Sequence, residues 1–168
     1  MSKEVLAANR SLPPIIWRLG FAGLLPFVGL SFLLTKASWF GAGLQSASFL
    51  GFYAPYVFIA YSAVILSFLS GTLWSRWELV DDEGTAKIIL IFSNIIALSA
   101  WLSLLLIYIA PVMTIFAVTL LLVGFVSVLW VERFSKPTRV DYLKMRVYLT
   151  LGVAGTHILV IALMLVDL

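Results

Sequence analysis

The chain has 168 residues, of which 62% are hydrophobic and only 11% are charged. Soluble domains carry about 25% charged and about 45–50% apolar residues, so the composition excludes an ordinary soluble domain. A disordered chain is excluded as well, because such chains are poor in the aromatic residues that make up 14% of this one. The composition therefore predicts an integral membrane protein built of helices.

The chain has no cysteine and a single histidine. Disulfides, thiol catalysis and thiolate metal sites are thereby excluded. Most zinc and haem sites draw on several His or Cys ligands. We therefore expect no metal site and no cofactor.

In chain order, five apolar segments reach the length of about 20 residues that a helix needs to cross a bilayer. They cover approximately residues 15–34, 52–74, 88–109, 112–131 and 148–166. Pro111 separates the third segment from the fourth, and a proline there ends one helix and suits the first turn of the next. No repeat or separate soluble part is visible. The sequence thus predicts an all-α bundle of five transmembrane helices that forms a single domain over residues 1–168.

The basic residues predict the orientation in the membrane. In a five-span arrangement, one side receives Lys3, Arg10, Arg18, Arg76, Lys87, Arg133, Lys136, Arg139, Lys144 and Arg146, and the other side receives Lys36 alone. Because cytoplasmic loops carry the excess of Lys and Arg, we expect a cytoplasmic N-terminus and an external C-terminus. The predicted location is the bacterial cytoplasmic (inner) membrane, as a multi-pass protein.

Four short strings carry a family resemblance. They are GLLPF at residues 23–27, ILSFLSGTLW at 65–74, SAWL at 99–102 and DYLKMRVYLT at 141–150. Together they resemble the small bacterial membrane family of unknown function that also contains eukaryotic transmembrane protein 69. Ser70 departs from that pattern, in which a glycine precedes Gly71. The resemblance implies the membrane architecture and carries over no catalytic residue.

Three polar residues inside the spans are the candidate site. Ser67, Asn94 and His157 fall at similar depth in the half of the bundle nearer the cytoplasm, by helical rise. They could form an interhelical hydrogen-bonded clasp, or they could form a ligand-binding or proton-relay site. If a ligand binds, Tyr61 and Trp101 are the expected wall of its pocket.

Two further patterns concern surfaces. Small residues recur on the second span at Ala60, Ala63, Ser67 and Gly71, which predicts close packing in the bundle interior. Five basic residues lie between the fourth and fifth spans, at Arg133, Lys136, Arg139, Lys144 and Arg146. They could bind lipid head groups or a partner protein, or they could serve as the topology signal alone.

Catalysis has little support in the sequence, since no hydrolase, zinc-protease or phosphate-binding motif occurs. We expect a non-enzymatic accessory or assembly subunit of a larger or homo-oligomeric membrane complex. The alternative is a binding protein or carrier for an apolar small molecule or lipid, with a pocket among the second, third and fifth spans. The expected partners are membrane lipids and other membrane subunits or a second copy, and not nucleic acid.

Overall fold

The computed structural model describes residues 13–134 and 140–167. Within these ranges, five helical segments are long and apolar enough to cross a membrane. The first is divided into α1 (Pro14–Ala22) and α2 (Leu25–Phe40), and the others are α3 (Ala54–Trp74), α4 (Glu83–Leu106), α5 (Met113–Phe134) and α6 (Val140–Val166). Two 3₁₀ turns, Leu44–Ser46 and Trp77–Leu79, lie in the connections. The prediction of an all-α, multi-pass membrane protein with five spanning helices is confirmed.

Consecutive spans pack against each other, and α3 lies at the centre, in contact with α2, α4 and α5. α6 closes the bundle by packing against both α5 and α2. The core contains large side chains that are fully buried, among them Phe27, Leu34, Phe58, Leu121 and Val128. Gly124 of α5 lies directly against the Leu66 side chain of α3, so a larger residue there would require the buried Leu66 side chain or one of the two helices to shift.

The two ends of the bundle differ in their number of basic residues. One end, which we call the basic end, is formed by the starts of α1, α4 and α6 and the ends of α3 and α5. The basic residues of the described chain that belong to it are Arg18, Arg76, Lys87, Arg133, Lys144 and Arg146. The opposite end carries the loop of residues 41–53 and has Lys36 nearby.

The first span breaks between α1 and α2. Pro26 stands in the first turn of α2 and has no amide hydrogen, so the Ala22 carbonyl lacks the donor that a continuous helix would supply. At the break, Tyr61 of α3 donates its hydroxyl to the Gly23 carbonyl oxygen at 2.8 Å. A neighbouring span therefore satisfies one of the backbone groups that the break exposes.

A short hairpin joins the first span to α3. Its strands are β1 (Ser48–Phe49) and β2 (Phe52–Tyr53), which pair antiparallel, and its two turn residues have positive φ values of 52° and 85°. Positive φ at both positions is the geometry of tight hairpin turns that match the twist of the strands. Just before the hairpin, the Leu44 N–H donates to both carboxylate oxygens of Asp167 at 3.2 Å, which ties this loop to the end of α6.

α4 begins with a side-chain cap. Oδ2 of Asp82 accepts hydrogen bonds from the Thr85 hydroxyl at 2.6 Å and the Thr85 backbone N–H at 2.7 Å. Because both bonds favour the ionised carboxylate, they lower the pKa of Asp82. The acidic loop before α4 therefore has a clear structural role at the helix start.

The small residues of α3 do not share one face of the bundle interior. Of the predicted stripe only Ala63 is buried, while Ala60, Ser67 and Gly71 are exposed on the outer surface. The prediction of an interior stripe was wrong because large side chains determine the rotation of α3. Phe58 and Leu66 are fully buried, and their burial turns Gly71 outwards, where a Cβ would meet no atom within 4 Å.

Candidate functional site

The three polar residues predicted to meet do not meet. His157 is fully buried, whereas Ser67 and Asn94 are exposed on the outer surface of the bundle. The Asn94 side-chain amide donates to the Leu90 carbonyl at 2.8 Å, within its own helix. The predicted cluster is therefore wrong, because similar depth along the membrane normal does not fix the direction in which each helix face points.

His157 lies in an aromatic cage. Its ring centroid is 4.9 Å from that of Phe58, 5.4 Å from that of Phe125 and 5.6 Å from that of Phe27. Nδ1 is 2.8 Å from the Val153 carbonyl oxygen of the same helix. Nε2 has no hydrogen-bond partner among the described residues. The interior position matches the prediction for His157, but its surroundings are apolar instead of polar.

The two residues predicted as pocket walls lie apart. Tyr61 is half-buried, stacks edge-on to Phe27 with the ring centroids 4.9 Å apart, and reaches the Gly23 carbonyl. Trp101 is 57% exposed on the outside of α4 and belongs to no interior wall. The prediction for Trp101 was wrong for the same reason as that for Asn94, which shares the outward face of α4 two turns away.

A lateral cleft of about 290 Å³ opens between the first span, α3 and α6. Its walls are mostly apolar and include Leu19, Leu24, Phe27, Ile65, Phe68, Leu69, Phe125, Met145, Leu149 and Val153. Its polar side chains all come from α6: Tyr142, Arg146 and Thr150. The predicted pocket among the second, third and fifth spans is corrected here, because the third span, α4, supplies no lining residue and the first span forms one wall.

Glycines hold the walls of the cleft close together. A Cβ at Gly152 of α6 would lie 2.9 Å from Cδ2 of Leu24, and a Cβ at Gly20 of α1 would lie 2.9 Å from Cδ1 of Leu149. A leucine side chain of the facing segment therefore packs directly against each glycine. These two contacts bring the first span and α6 close together beside the cleft.

A buried ion-pair network lies beside the cleft at the basic end. Nε of Arg146 donates to Oε2 of Glu132 at 2.7 Å, and Nη2 of Arg76 lies 3.4 Å from Oε1. The Glu132 and Arg146 side chains are only 1% and 6% exposed. Charges so buried are stable only when they are paired and hydrogen-bonded, and this network joins α5, α6 and the connection that follows α3.

The network corrects the predicted basic patch. Arg146 is an interior residue, while Arg133 and Lys144 are exposed and line a separate groove of about 290 Å³ on the outside. Lys136 and Arg139 lie outside the described residues. The sequence does contain a usable signal, since Glu132 and Arg146 flank one short connection between helices that must pack as neighbours. Both residues lie just outside the predicted spans of residues 112–131 and 148–166, so the sequence suggested exposed loop residues instead of a buried pair.

A smaller pocket of about 210 Å³ lies at the opposite end, with polar side chains from Gln45, Tyr53, Tyr56, Thr114 and Asp167. Burial, together with the neighbouring Tyr56 and Asp167, raises the pKa of the Tyr53 hydroxyl. The Asp167 carboxylate is engaged by the Leu44 N–H, so this end serves to hold the loop. The larger cleft is the better-formed candidate site.

The family described as "Protein of unknown function (DUF3429)" matches residues 12–163. The chain belongs to this family. The DUF3429 match confirms the predicted membership in a family of unknown function, whereas the link to transmembrane protein 69 and the bacterial origin stay predictions. The matched range of the DUF3429 chain takes in the whole cleft and the ion-pair network, and it ends before Asp167. Neither the curated proteins nor the solved structures give a match.

Proposed function

We propose that this DUF3429 protein is a non-enzymatic binding protein or carrier for a membrane amphiphile, a lipid or a similar apolar small molecule. The observation that carries the proposal is the lateral cleft of about 290 Å³. Ligand pockets commonly measure about 300–1,000 Å³ and combine apolar walls with a few polar groups, and the volume of the cleft is just below that range. Its size suits one hydrocarbon chain better than a whole bilayer lipid.

The walls of the cleft favour entry from the side. Leu19 and Phe68 line it and are also 66% and 70% exposed on the outer surface of the bundle. A hydrocarbon chain can therefore pass from the bilayer into the cleft without crossing water. The chain gains little by exchanging lipid neighbours for apolar side chains, because lipid tails are as apolar as leucine. Close packing and the polar end of the ligand must then supply the selectivity.

Filling the cleft tests the proposal. Ile65 lines the cleft, whereas its neighbour Val64 is 64% exposed and faces outwards. We expect the parent protein, purified in mild detergent and studied by native mass spectrometry, to retain an amphiphile. Ile65→Trp should lose it, and the matched control Val64→Trp should keep it. Equal retention by both variants, or no amphiphile and no binding of a fluorescent fatty acid by the parent, would refute the proposal.

The second candidate function is that of an accessory or assembly subunit, and the observation that favours it is Asn94. This amide lies in the middle of α4 yet is exposed on the outer surface. A polar group facing hydrocarbon is costly, and such residues in spans usually face another helix. A second copy or another membrane subunit could cover it.

Native gels of membranes solubilised in mild detergent test that candidate. Asn94→Leu should shift a complex to the monomer if the amide contacts a partner. Thr119→Val is the matched control, because the exposed Thr119 hydroxyl donates to the Ile115 carbonyl just as the Asn94 amide nitrogen donates to the Leu90 carbonyl. Asn94 differs in its side-chain carbonyl oxygen, which accepts no hydrogen bond from the described residues. An unchanged complex in Asn94→Leu would remove the support for this candidate.

The same proposal includes a location and an orientation. Basic residues gather at one end of the bundle, and this supports placing the basic end and the N-terminus in the cytoplasm. The membrane we propose is the bacterial cytoplasmic membrane, with the C-terminus outside.

A further inference from the structure

We infer that the cleft selects an amphiphile with an oxyanion head group, a phosphate or a carboxylate, which the Arg146 guanidinium and the Thr150 hydroxyl bind at the basic end. The inference rests on the proposed function and specifies the ligand class of the same site. Because the hydrocarbon chain contributes little selectivity, the polar groups of the cleft decide which amphiphile is retained.

Arg146 has hydrogen-bond donors that the fold does not use. Its side chain is 6% exposed, and its Nε donates to Glu132. A guanidinium has five N–H groups, and in the described part of the chain its two terminal amino groups have no hydrogen-bond partner. Arg146 lines the cleft, so these donors are available to a ligand held there. Glu132 fixes the guanidinium in place and leaves its outer edge free.

Thr150 adds a second donor on the same face of α6. It lies one helical turn beyond Arg146, a spacing that puts the two side chains about 5–6 Å apart. Other hydroxyls in the spans, such as Ser62, Ser103 and Thr156, donate to carbonyls of their own helices. The Thr150 hydroxyl, by contrast, lines the cleft and has no hydrogen bond among residues 13–134 and 140–167. The terminal amino groups of Arg146 and the hydroxyl of Thr150 are thus donors without an acceptor among the described residues.

The position of the pair along α6 suits a head group. α6 has 27 residues and is therefore about 40 Å long, against about 30 Å of hydrocarbon. Asp141 and Lys144 are exposed near its start, so the surplus length belongs at the basic end. Arg146, six residues from the first residue of α6, then lies close to the boundary of the hydrocarbon. Phosphate and carboxylate groups of membrane amphiphiles occupy that level, where charge-assisted hydrogen bonds to arginine are strong.

The test compares single-chain probes that share one acyl chain and differ in their head groups. The full-length protein in mild detergent is titrated with lysophosphatidylglycerol, with the corresponding fatty acid and with neutral monoacylglycerol. Inorganic phosphate forms a separate arm. We expect both anionic probes to bind about tenfold or more tightly than the monoacylglycerol, which is the scale of one charge-assisted hydrogen bond. Phosphate alone should bind weakly, because it lacks the chain.

Two variants test whether Thr150 and Arg146 cause the preference for anionic probes. Thr150→Val keeps the shape of the side chain, and we expect it to weaken the anionic probes several-fold while the monoacylglycerol affinity stays unchanged. Arg146→Lys keeps the charge but loses the planar fork, and it should reduce the preference further. Thr156→Val is the matched control on α6, because that hydroxyl donates to the Val153 carbonyl, and it should change nothing. Thermal melts identify any variant that fails to fold. If Arg146→Lys does not fold, the affinities of Thr150→Val for the three probes alone test the inference.

The outcomes separate the two proposals. Equal affinity for all three probes, with binding still lost in Ile65→Trp, overturns the anionic head group and leaves the binding function intact. Failure of every probe to bind overturns both. Displacement of lysophosphatidylglycerol by an equal concentration of inorganic phosphate overturns the amphiphile as the source of the oxyanion.

Discussion

Glu132 lies between two arginine side chains inside the bundle, and its substitution tests the network directly. Glu132→Gln removes the negative charge and nearly keeps the shape, which leaves the buried Arg146 guanidinium without a counter-ion. We expect the free energy of unfolding to fall by about 3–5 kcal/mol, as in other broken buried pairs. Thermal melts in mild detergent, followed by circular dichroism, measure the change.

Glu83→Gln is the control for that variant. Glu83 pairs with Lys87 at 2.8 Å, but the two side chains are 84% and 68% exposed. Exposed pairs of this kind contribute at most about 1 kcal/mol. If Glu132→Gln melted no earlier than Glu83→Gln, the buried network would have no role in stability.

His157 is the second residue with a distinctive environment. His157→Leu removes the unpartnered Nε2 from the aromatic cage and also removes the Nδ1 contact with the Val153 carbonyl. A buried unsatisfied group costs about 1–3 kcal/mol and a hydrogen bond contributes about 0.5–1.5 kcal/mol, so the two effects nearly offset each other. We expect a free energy of unfolding within about 1 kcal/mol of the parent.

Phe58→Ala is the comparison for His157→Leu, because Phe58 is fully buried in the same cage and its truncation leaves a cavity. That loss is about 3–5 kcal/mol. A comparable loss in His157→Leu would mean that the imidazole has a partner essential to the fold.

For single residues, the sequence predicts the depth of a side chain in the membrane better than the direction in which that side chain points. His157 could be placed inside a span and in the interior, and it lies there. Ser67 and Asn94 could be placed at a similar depth, but their outward direction depends on which faces the larger side chains bury. The donors of Arg146 and Thr150 could not be foreseen, because their freedom depends on contacts between three helices.

Among the elements, α3 gives the clearest comparison between neighbouring positions. Leu73 is fully buried, while Gly71, half a turn away, has open space around it. Leu73→Ala should therefore lower the free energy of unfolding by about 2–5 kcal/mol through the cavity it leaves. Gly71→Leu should leave the melting temperature of the isolated chain unchanged.

This expectation reverses the one that the sequence alone suggests, in which Gly71 packs against a neighbouring helix. Melts of the two variants in the same detergent decide between them. An early melt of Gly71→Leu, with Leu73→Ala close to the parent, would place the interior face of α3 on the side of the small residues.

The elements themselves are largely predictable. Five apolar segments of sufficient length correspond to five spanning helices, because hydropathy and length determine insertion. The helix ends are less predictable, and α6 begins at Val140, well before the apolar segment at residue 148, because its first turns are amphipathic and charged. Pro26 signals a bend in the first span, but the Tyr61 hydrogen bond at the break needs the tertiary structure.

At the scale of the whole molecule, five spans predict that the segments before α1 and after α6 lie on opposite sides of the membrane. We expect reporter fusions at Val80 and Pro137 to give a cytoplasmic signal and fusions at Gly43 and after Leu168 to give an external one. The physical reason is the collection of basic residues at one end of the bundle. A cytoplasmic signal after Leu168 would contradict the five-span arrangement, and a uniform reversal would contradict only the orientation.

The arrangement of the spans around the bundle is the part that the sequence leaves open. The cleft lies between the first and last spans because α6 packs against α2 as well as α5. Helices distant in the chain become neighbours through contacts such as Leu24 against Gly152. The hydrophobic periodicity of a helix does not show which distant helix it will contact. One wall of the pocket was therefore predicted on the third span, whereas the first span forms that wall.

The hydrogen bond between Leu44 and Asp167 also limits when the loop of residues 41–53 can reach its final structure during synthesis. The two residues are separated by 123 positions in the chain. At about 5–20 residues per second, a ribosome needs about 6–25 s to travel from one to the other. During that interval the loop that contains Leu44 has been synthesised but lacks the carboxylate that holds it. The loop can therefore reach its final structure only after α6 and the Asp167 that follows it have been synthesised, so this contact forms after the first five helices have been made.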